Sequence, residues 1–308
     1  MFLGQGTVVR SVGSFYRVLL KHSPDKPIEC TLRGKIRLQN LKTTNPIAVG
    51  DKVLISREST GEPVITEILP RTNYILRKAT NLSKQEHILC ANIDQLLLII
   101  TLSSPATTLG FIDRILVTAE AYHIPTRLII NKIDLIPEIF HEELKKYINI
   151  YESIGYDVYA LSALDTNAQD TIRGILSNRI SFLIGLSGSG KSTIINRAEP
   201  SLNLKVGSLS NFSNQGKHIT TFAEMHQLPN LGGAVINAPG VREFSLTGFQ
   251  KNEIGQWFPE IRSRMHQCKF SNCLHLNEPA CAVKEAVQNQ KIATSRYNSY
   301  VGMLQHND

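Results

Sequence analysis

The chain has 308 residues, a formal net charge of +7 and 42% hydrophobic residues, a length that leaves room for two or three domains and a composition that excludes a disordered polymer. No apolar stretch approaches the roughly 20 residues that a membrane-crossing helix needs. The opening residues, Met1 to Arg10, also lack a basic segment followed by a long apolar one, so no secretory signal or membrane association is expected and the cytoplasm is the expected location.

Residues 1–72 show five short strand-like runs, beginning at Val8, Phe15, Ile28, Asp51 and Val64, separated by Gly, Pro, Asn and Asp. Five strands in about seventy residues predict a small β-barrel, with the oligonucleotide-binding (OB) fold as the leading topology. Residues 1–78 hold 13 Lys and Arg against 6 Asp and Glu, an excess equal to that of the whole chain. Such a surface suits nucleic-acid phosphates, although an ordinary solvated face explains it as well. Within it Arg33, Lys35 and Arg37 alternate along one predicted strand and so share a face.

From about Ile75 the pattern changes to strands alternating with helices. The apolar runs Leu96–Leu102, Arg127–Ile130, Val158–Leu161, Ser181–Ile184 and Ala234–Ile236 lack strict alternation, as buried parallel strands do. Helical stretches over Phe111–Tyr122, Ile139–Ile154 and Lys191–Ala198 intervene, which predicts a doubly wound α/β domain. Ligands of such sheets bind beyond the carboxyl ends of the strands, and four of the five strands run into a nucleotide-binding motif.

The first motif is Asn131-Lys132-Ile133-Asp134. The carboxylate of Asp134 can accept from N1–H and N2–H₂ of guanine, an edge that adenine does not offer. Asn131 would hold the loop and meet N7, and the stem of Lys132 would lie along the base. Leu161-Ser162-Ala163 follows the next strand and offers the Ala163 amide to guanine O6. Then comes Gly185-Leu186-Ser187-Gly188-Ser189-Gly190-Lys191-Ser192, followed by Thr193, a match to G-x-x-x-x-G-K-[ST]. Its glycines let backbone amides wrap a phosphate, Lys191 reaches the β- and γ-phosphates, and the Ser192 hydroxyl suits magnesium.

Beyond it, Lys217-His218-Ile219-Thr220-Thr221 supplies hydroxyls for magnesium and the γ-phosphate, with Thr220 as the metal ligand. Asn237-Ala-Pro-Gly240 occupies the place of a D-x-x-G loop, with the Gly240 amide on the γ-phosphate and Asn where the usual residue is Asp. Hydrogen bonds to charged groups are roughly twice as strong as neutral ones, so magnesium affinity and turnover hang on this position. Val241 stands where many GTPases carry a water-orienting Gln. His218 is the best local substitute, against the plain alternative of an exposed loop histidine. The motifs run base recognition first and phosphate loop later, a circular permutation of the usual order.

Near the end, Cys268, Cys273, His275 and Cys281 make a three-thiolate, one-imidazole set, the closed tetrahedral type of structural zinc site. Tyr297 and Tyr300 in the tail fit either helix packing or an RNA-facing surface.

Barrel, permuted GTPase motifs and Cys–Cys–His–Cys segment together resemble the ribosome small-subunit-dependent GTPase A family (RsgA, also called YjeQ or YloQ). Phe111-Ile-Asp-Arg114 and Pro239-Gly-Val-Arg-Glu-Phe244 add to the resemblance. The expected layout is multidomain: an OB-fold RNA-binding barrel over 1–72, a circularly permuted α/β P-loop GTPase over 73–248, and a mostly helical zinc-binding segment over 249–308. The resemblance implies a bacterial late-stage assembly factor that binds the small ribosomal subunit and its rRNA and hydrolyses GTP to GDP with ribosomal stimulation. It implies GTP or GDP, Mg²⁺ and one Zn²⁺ as ligands and catalytic roles for His218, Lys191 and Thr220; nothing in the sequence demands more than a monomer. This sequence departs from the family wording at Ile219, for the first Thr of H-T-T-T, and at Asn237, for the Asp of D-T-P-G. Asn237 keeps a second possibility open, a GTP-binding RNA scaffold with little hydrolysis; an ATPase or kinase is a third.

Overall fold

The structure is a computed structural model that describes residues 1–33, 45–58, 61–78, 86–204, 223–237 and 249–305. Lys35, Arg37, the stretch Lys217 to Thr221 with His218, Ile219 and Thr220, and the stretch Pro239 to Phe244 with Gly240 and Val241 lie outside the described residues.

Strands β1 (Phe2–Val12), β2 (Phe15–Leu20), β3 (Ser23–Leu32), β4 (Lys52–Arg57) and β5 (Pro63–Ile68) pair in the order β1-β2-β3-β5-β4, and β4 returns to β1. The result is a closed five-stranded barrel with one parallel pairing, β3 with β5. Inward side chains such as Val8, Val18, Cys30, Val53, Ile55 and Ile65 fill it, as the alternation of the sequence requires. A short antiparallel ribbon follows, β6 (Tyr74–Lys78) with β7 (Glu86–Ala91). The barrel meets this ribbon at Gly50, whose φ is +93° and where a Cβ would stand 1.9 Å from the Ala91 carbonyl oxygen. Only glycine fits there. Beside it the buried Asp51 accepts two hydrogen bonds from Arg71, both at 2.6 Å.

Strands β8 (Gln95–Ile100), β9 (Thr126–Ile130), β10 (Asp157–Ala160), β11 (Ile180–Ile184) and β13 (Gly233–Asn237) form the parallel sheet in the order β10-β9-β8-β11-β13. Helices α1 (Leu109–Ala121) and α2 (His141–Glu152) cover one face, while α3 (Ala168–Leu176) and α4 (Lys191–Ala198) cover the other. All six residues of β8 are buried, as a central strand covered on both faces must be. Between α4 and β13 lies β12 (Glu224–Leu228), antiparallel to β13. Its outer edge is bridged to β1 at Arg10 and Glu224, so barrel and α/β sheet are one sheet of eleven strands. Neither β12 nor the β6–β7 ribbon is anticipated from periodicity. Glu-Met-His-Gln-Leu is too polar and short to announce a strand, and it is held by its neighbours on both sides.

The rest is helical: α5 (Lys251–Ile254), α6 (Pro259–Met265), α7 (Ala282–Gln288) and α8 (Thr294–Gln305). Their apolar core, with Phe258, Ile261, Val283 and Tyr300, also takes in Val117 of α1. One buried charge cluster crosses the same boundary. Arg296 donates to Asp113 of α1 at 2.7 Å and to Glu260 of α6 at 2.7 and 3.2 Å. Its guanidinium also lies 4.6 Å from the centre of the Phe258 ring. Tyr151 of α2 donates to the same Asp113 oxygen at 3.0 Å. Arg296 and Asp113 are essentially buried, and burial pushes the Asp113 carboxyl upward against the pull of Arg296. No described helix is long and apolar enough to cross a membrane.

Removing one partner of a buried ion cluster leaves the others uncompensated. Arg296→Met is therefore expected to lower unfolding free energy by about 3–5 kcal/mol in denaturant titration. Tyr151→Phe, which removes one hydrogen bond to a charged group, is expected to cost about 1–3 kcal/mol.

Candidate nucleotide site and metal centre

The strand-end motifs converge as the sheet rule requires. Asn131 follows β9 directly, and its buried carboxamide ties three loops together. Its oxygen accepts from the Ala163 amide at 3.0 Å, and its nitrogen donates to the Ser189 carbonyl at 2.8 Å. Base loop, Ser162–Ala163 loop and phosphate loop are thus held by one side chain. Lys132 adopts a left-handed backbone (φ 65°) and reaches the Ser104 carbonyl at 2.7 Å. Asp134 sits exposed in a short 3₁₀ turn, Ile133–Leu135. With Ser162, Asp165, His141 and Lys145 it lines a cavity of about 660 Å³.

The phosphate loop joins β11 to α4. A Cβ on Gly185 would stand 2.4 Å from the Ile99 carbonyl, and one on Gly190 (φ +96°) would stand 2.1 Å from the Asn131 amide nitrogen. Inside the loop the Lys191 ammonium donates to the carbonyls of Gly185 and Leu186, at 2.7 and 2.9 Å. Those are neutral partners, and burial pushes Lys191 down to about 8. The Ser189 hydroxyl is buried without a hydrogen-bond partner. A buried cation and an orphaned hydroxyl beside the N-terminus of a helix form a cradle that suits a phosphate. Gly188 (φ +81°) and Ser187 complete the turn, and Thr193 follows Ser192 in the first turn of α4.

Ser192 is buried at the base of α4. Asn237, the last residue of β13, lies beside Leu183 of β11 and follows Val235, which packs with Ile194 and Ile195 of α4. Asn237 therefore faces the α4 side. Hydroxyl and amide oxygens suit a hard cation such as magnesium, but position 237 offers it no charge.

The metal cluster is assembled by two loops and a helix start. The ligand atoms of Cys268, Cys273, His275 and Cys281 all lie within 4.8 Å of one another. Cys268 Sγ is 3.6 Å from His275 Nδ1 and 3.9 Å from Cys281 Sγ, and Cys281 Sγ is 3.4 Å from His275 Nδ1. Zinc bonds of 2.0–2.3 Å in a tetrahedron predict edges of roughly 3.6 Å for S···N and 3.8 Å for S···S. The donors fit zinc. Burial first, and then the neighbouring thiols, push Cys273 up to about 12, a repulsion that a dication resolves. Burial keeps His275 below its usual range and hence neutral, as a ligand must be.

Glu278 shapes this loop by accepting from the amides of Leu274 and Leu276, at 2.8 and 2.9 Å. Tyr297 and Tyr300 of α8 donate to the carbonyls of His275 and Leu274, at 2.6 and 2.8 Å. Both tyrosines thus bind the metal loop from inside. Neither Glu278 nor the tyrosines were legible as supports, because their partners are backbone atoms whose position no side-chain pattern reports.

The profile of the RsgA GTPase family matches residues 68–247, and that of the RsgA N-terminal domain matches residues 5–65. The chain belongs to the RsgA GTPase family. It is a GTP hydrolase, and the family implies GTP or GDP and magnesium as ligands. It is 43% identical over 301 residues to the small ribosomal subunit biogenesis GTPase RsgA of Bacteroides fragilis strain YCH46, covering 98% of this chain and 96% of that one. It is 45% identical to the protein of the same name from Flavobacterium johnsoniae, covering 97% and 92%. Among solved structures, YjeQ from Thermotoga maritima superposes with a TM-score of 0.79 at 33% identity, covering 98% of this chain and 97% of that one. YloQ, described as a circularly permuted GTPase, gives 0.74 at 30% identity, covering 99% and 94%. Barrel, permuted GTPase and Cys₃His segment therefore form the family architecture.

Phosphate beside Lys191 favours its charged form, so GDP binding takes up a proton wherever the free lysine has lost one. Affinity is expected to be flat near neutral pH and to weaken toward tenfold per unit as pH rises above about 8. Calorimetry in two buffers of different ionisation enthalpy, at about pH 8.5, is expected to show net proton uptake.

Proposed function

We propose that this chain is a cytoplasmic, ribosome-stimulated GTPase that acts late in assembly of the small (30S) ribosomal subunit, and works as a monomer. The names of its relatives, small ribosomal subunit biogenesis GTPases, support the assembly role. The observation that carries the GTPase chemistry is the buried Lys191 ammonium, held among the described residues by two loop carbonyls, inside a loop that Asn131 ties to the base-reading segment. The proposed units are the RNA-binding barrel at 1–72, the GTPase at 73–248 and the zinc segment at 249–308.

In this mechanism Asp134 selects guanine, Asn131 holds the base loop to the phosphate loop, Lys132 flanks the base, and the Ser162–Ala163 loop offers the Ala163 amide to guanine O6. Lys191 and the amides of Gly185 to Ser192 stabilise charge on the transferring phosphoryl group. Ser192 and Thr220 would hold the metal, and Thr193, Thr221, Asn237 and Gly240 would serve the metal and the γ-phosphate with hydroxyl, amide and backbone groups. Magnesium, when bound, offsets the phosphate charge. His218 orients the attacking water, a duty that Val241 cannot perform. Zinc held by Cys268, Cys273, His275 and Cys281 is structural, since four protein ligands close the tetrahedron. The basic barrel, with Arg33, Lys35 and Arg37, engages rRNA phosphates.

Asn237 favours a second reading, a GTP-gated scaffold on rRNA with little turnover. Phosphate release stimulated by 30S subunits, compared for the native chain and Asn237→Asp, separates the two. The enzyme reading expects robust native turnover that is lost in His218→Ala. Turnover that appears only in Asn237→Asp would establish the scaffold instead. Base selection is checked separately: Asp134→Asn is expected to weaken GDP binding by about 10⁴-fold while leaving binding of pyrophosphate alone intact.

A further inference from the structure

Asn237 does not stand alone on its sheet. In the antiparallel ladder of β12 and β13 it is directly paired with Glu224. Directly paired residues put their side chains on the same face, with Cβ atoms about 4.5–5.5 Å apart. That face is the nucleotide side, because Leu228 of β12 and Val235 of β13, each an even number of residues away, pack with Ile194, Ile195 and Ala198 of α4. A carboxylate is therefore placed next to the position where the family pattern has one and this chain has an amide.

The row continues outward into the barrel. Glu224 pairs with Arg10 of β1, Arg10 with Arg17 of β2, and Arg17 with Glu29 of β3. The two arginines face one another, an unfavourable arrangement for like charges, and each leans toward a carboxylate. Arg17 meets Glu29 at 3.3 Å, and Arg10 meets Glu224 at 3.8 Å. The Arg10–Glu224 contact is long, and its side chains are 40% and 43% exposed. Such a pair is weak and exchangeable.

We propose that Glu224 supplies, from the neighbouring strand, the negative charge toward magnesium that Asn237 lacks, and that Arg10 competes for it. The proposal rests on the nucleotide-site assignment above. With magnesium bound, Asn237 would offer it only a neutral amide oxygen, and Glu224 would add the charge from the paired position on β12. A polyanion seated on Arg10 and Arg17 draws Arg10 off and frees Glu224 to turn inward. Binding at the barrel surface thereby strengthens the metal site through a single row of paired residues. Glu224 is a positioning residue for the cation and touches no reacting atom.

The test is the magnesium dependence of nucleotide binding, independent of turnover. Release of a fluorescent GDP from the full chain is followed as Mg²⁺ is titrated, for the native protein, Glu224→Gln, Arg10→Gln, Asn237→Asp and the Glu224→Gln/Asn237→Asp pair. The midpoint is expected to rise about tenfold in Glu224→Gln, the order of effect of losing a charge-assisted contact. It is expected to fall in Arg10→Gln and to return to the native value or below in the double variant. GDP affinity in EDTA is expected to stay the same in Glu224→Gln and Arg10→Gln, which shows that the site remains folded. A native midpoint unchanged by Glu224→Gln overturns the proposal. A rise that Asn237→Asp does not rescue also overturns it, since Glu224 would then act only through the strand. A native chain whose GDP release ignores Mg²⁺ altogether overturns the metal-site assignment beneath it.

Discussion

One carboxamide holds the nucleotide site together. Asn131 accepts from Ala163 and donates to the Ser189 carbonyl, so the segments that would meet base and phosphate cannot move independently. The same contact dictates Gly190, because any side chain there would collide with the amide nitrogen and would also have to adopt a left-handed backbone. Much of the loop geometry follows. With Gly190 against Asn131 and Gly185 against β8, the loop closes on itself, and Lys191 turns back onto its own carbonyls. The ammonium is thus buried and fixed by the loop's own backbone, which is a preorganised arrangement.

The parts of this architecture that the sequence makes legible are those with a short-range signature. The barrel strands alternate, the parallel strands are apolar runs, and Lys191–Ala198 is helical over the predicted bounds because Gly190 starts it and the loop stops before it. The metal ligands were legible because thiols cluster for few other reasons in a chain of five cysteines. What stayed hidden is polar and long-range. Arg296 looks like a solvent-facing residue of an amphipathic helix, yet it is buried between Asp113 and Glu260, 183 and 36 residues away. Glu199 ends α4 and caps the β12–β13 turn by accepting from the Asn230 amide at 2.9 Å. Neither contact leaves a periodic trace, since each is decided by which elements the fold brings together. Asp134 lies between these cases: its motif is legible, but its exposure is not.

Permutation gives these hidden contacts their consequence. Here the edge of β12 is bridged to a barrel strand, and the helices that carry the Cys₃His cluster follow β13 in the chain. Those helices return to α1 through Arg296 and through the Val117 contact. Each flank of the α/β sheet is thus tied to a different appendage by a different force.

The two ties differ in a way that matters for how signals travel. The α1–α8 tie is a buried ion cluster whose partial opening strands charge in the interior, so it resists small displacements and behaves as a rigid weld. The β1–β12 tie joins one bridge and one half-exposed ion pair to a shared apolar core, with Val9 of β1 in the same buried cluster as Met225 of β12, so its ion pair alone is weak and sensitive to salt and to competing anions. Residues 1–78 carry the chain's excess charge, so the weak ion pair and the basic surface are on the same side of the site. That coincidence, rather than the permutation alone, makes the barrel edge the natural place for an external partner to reach the nucleotide.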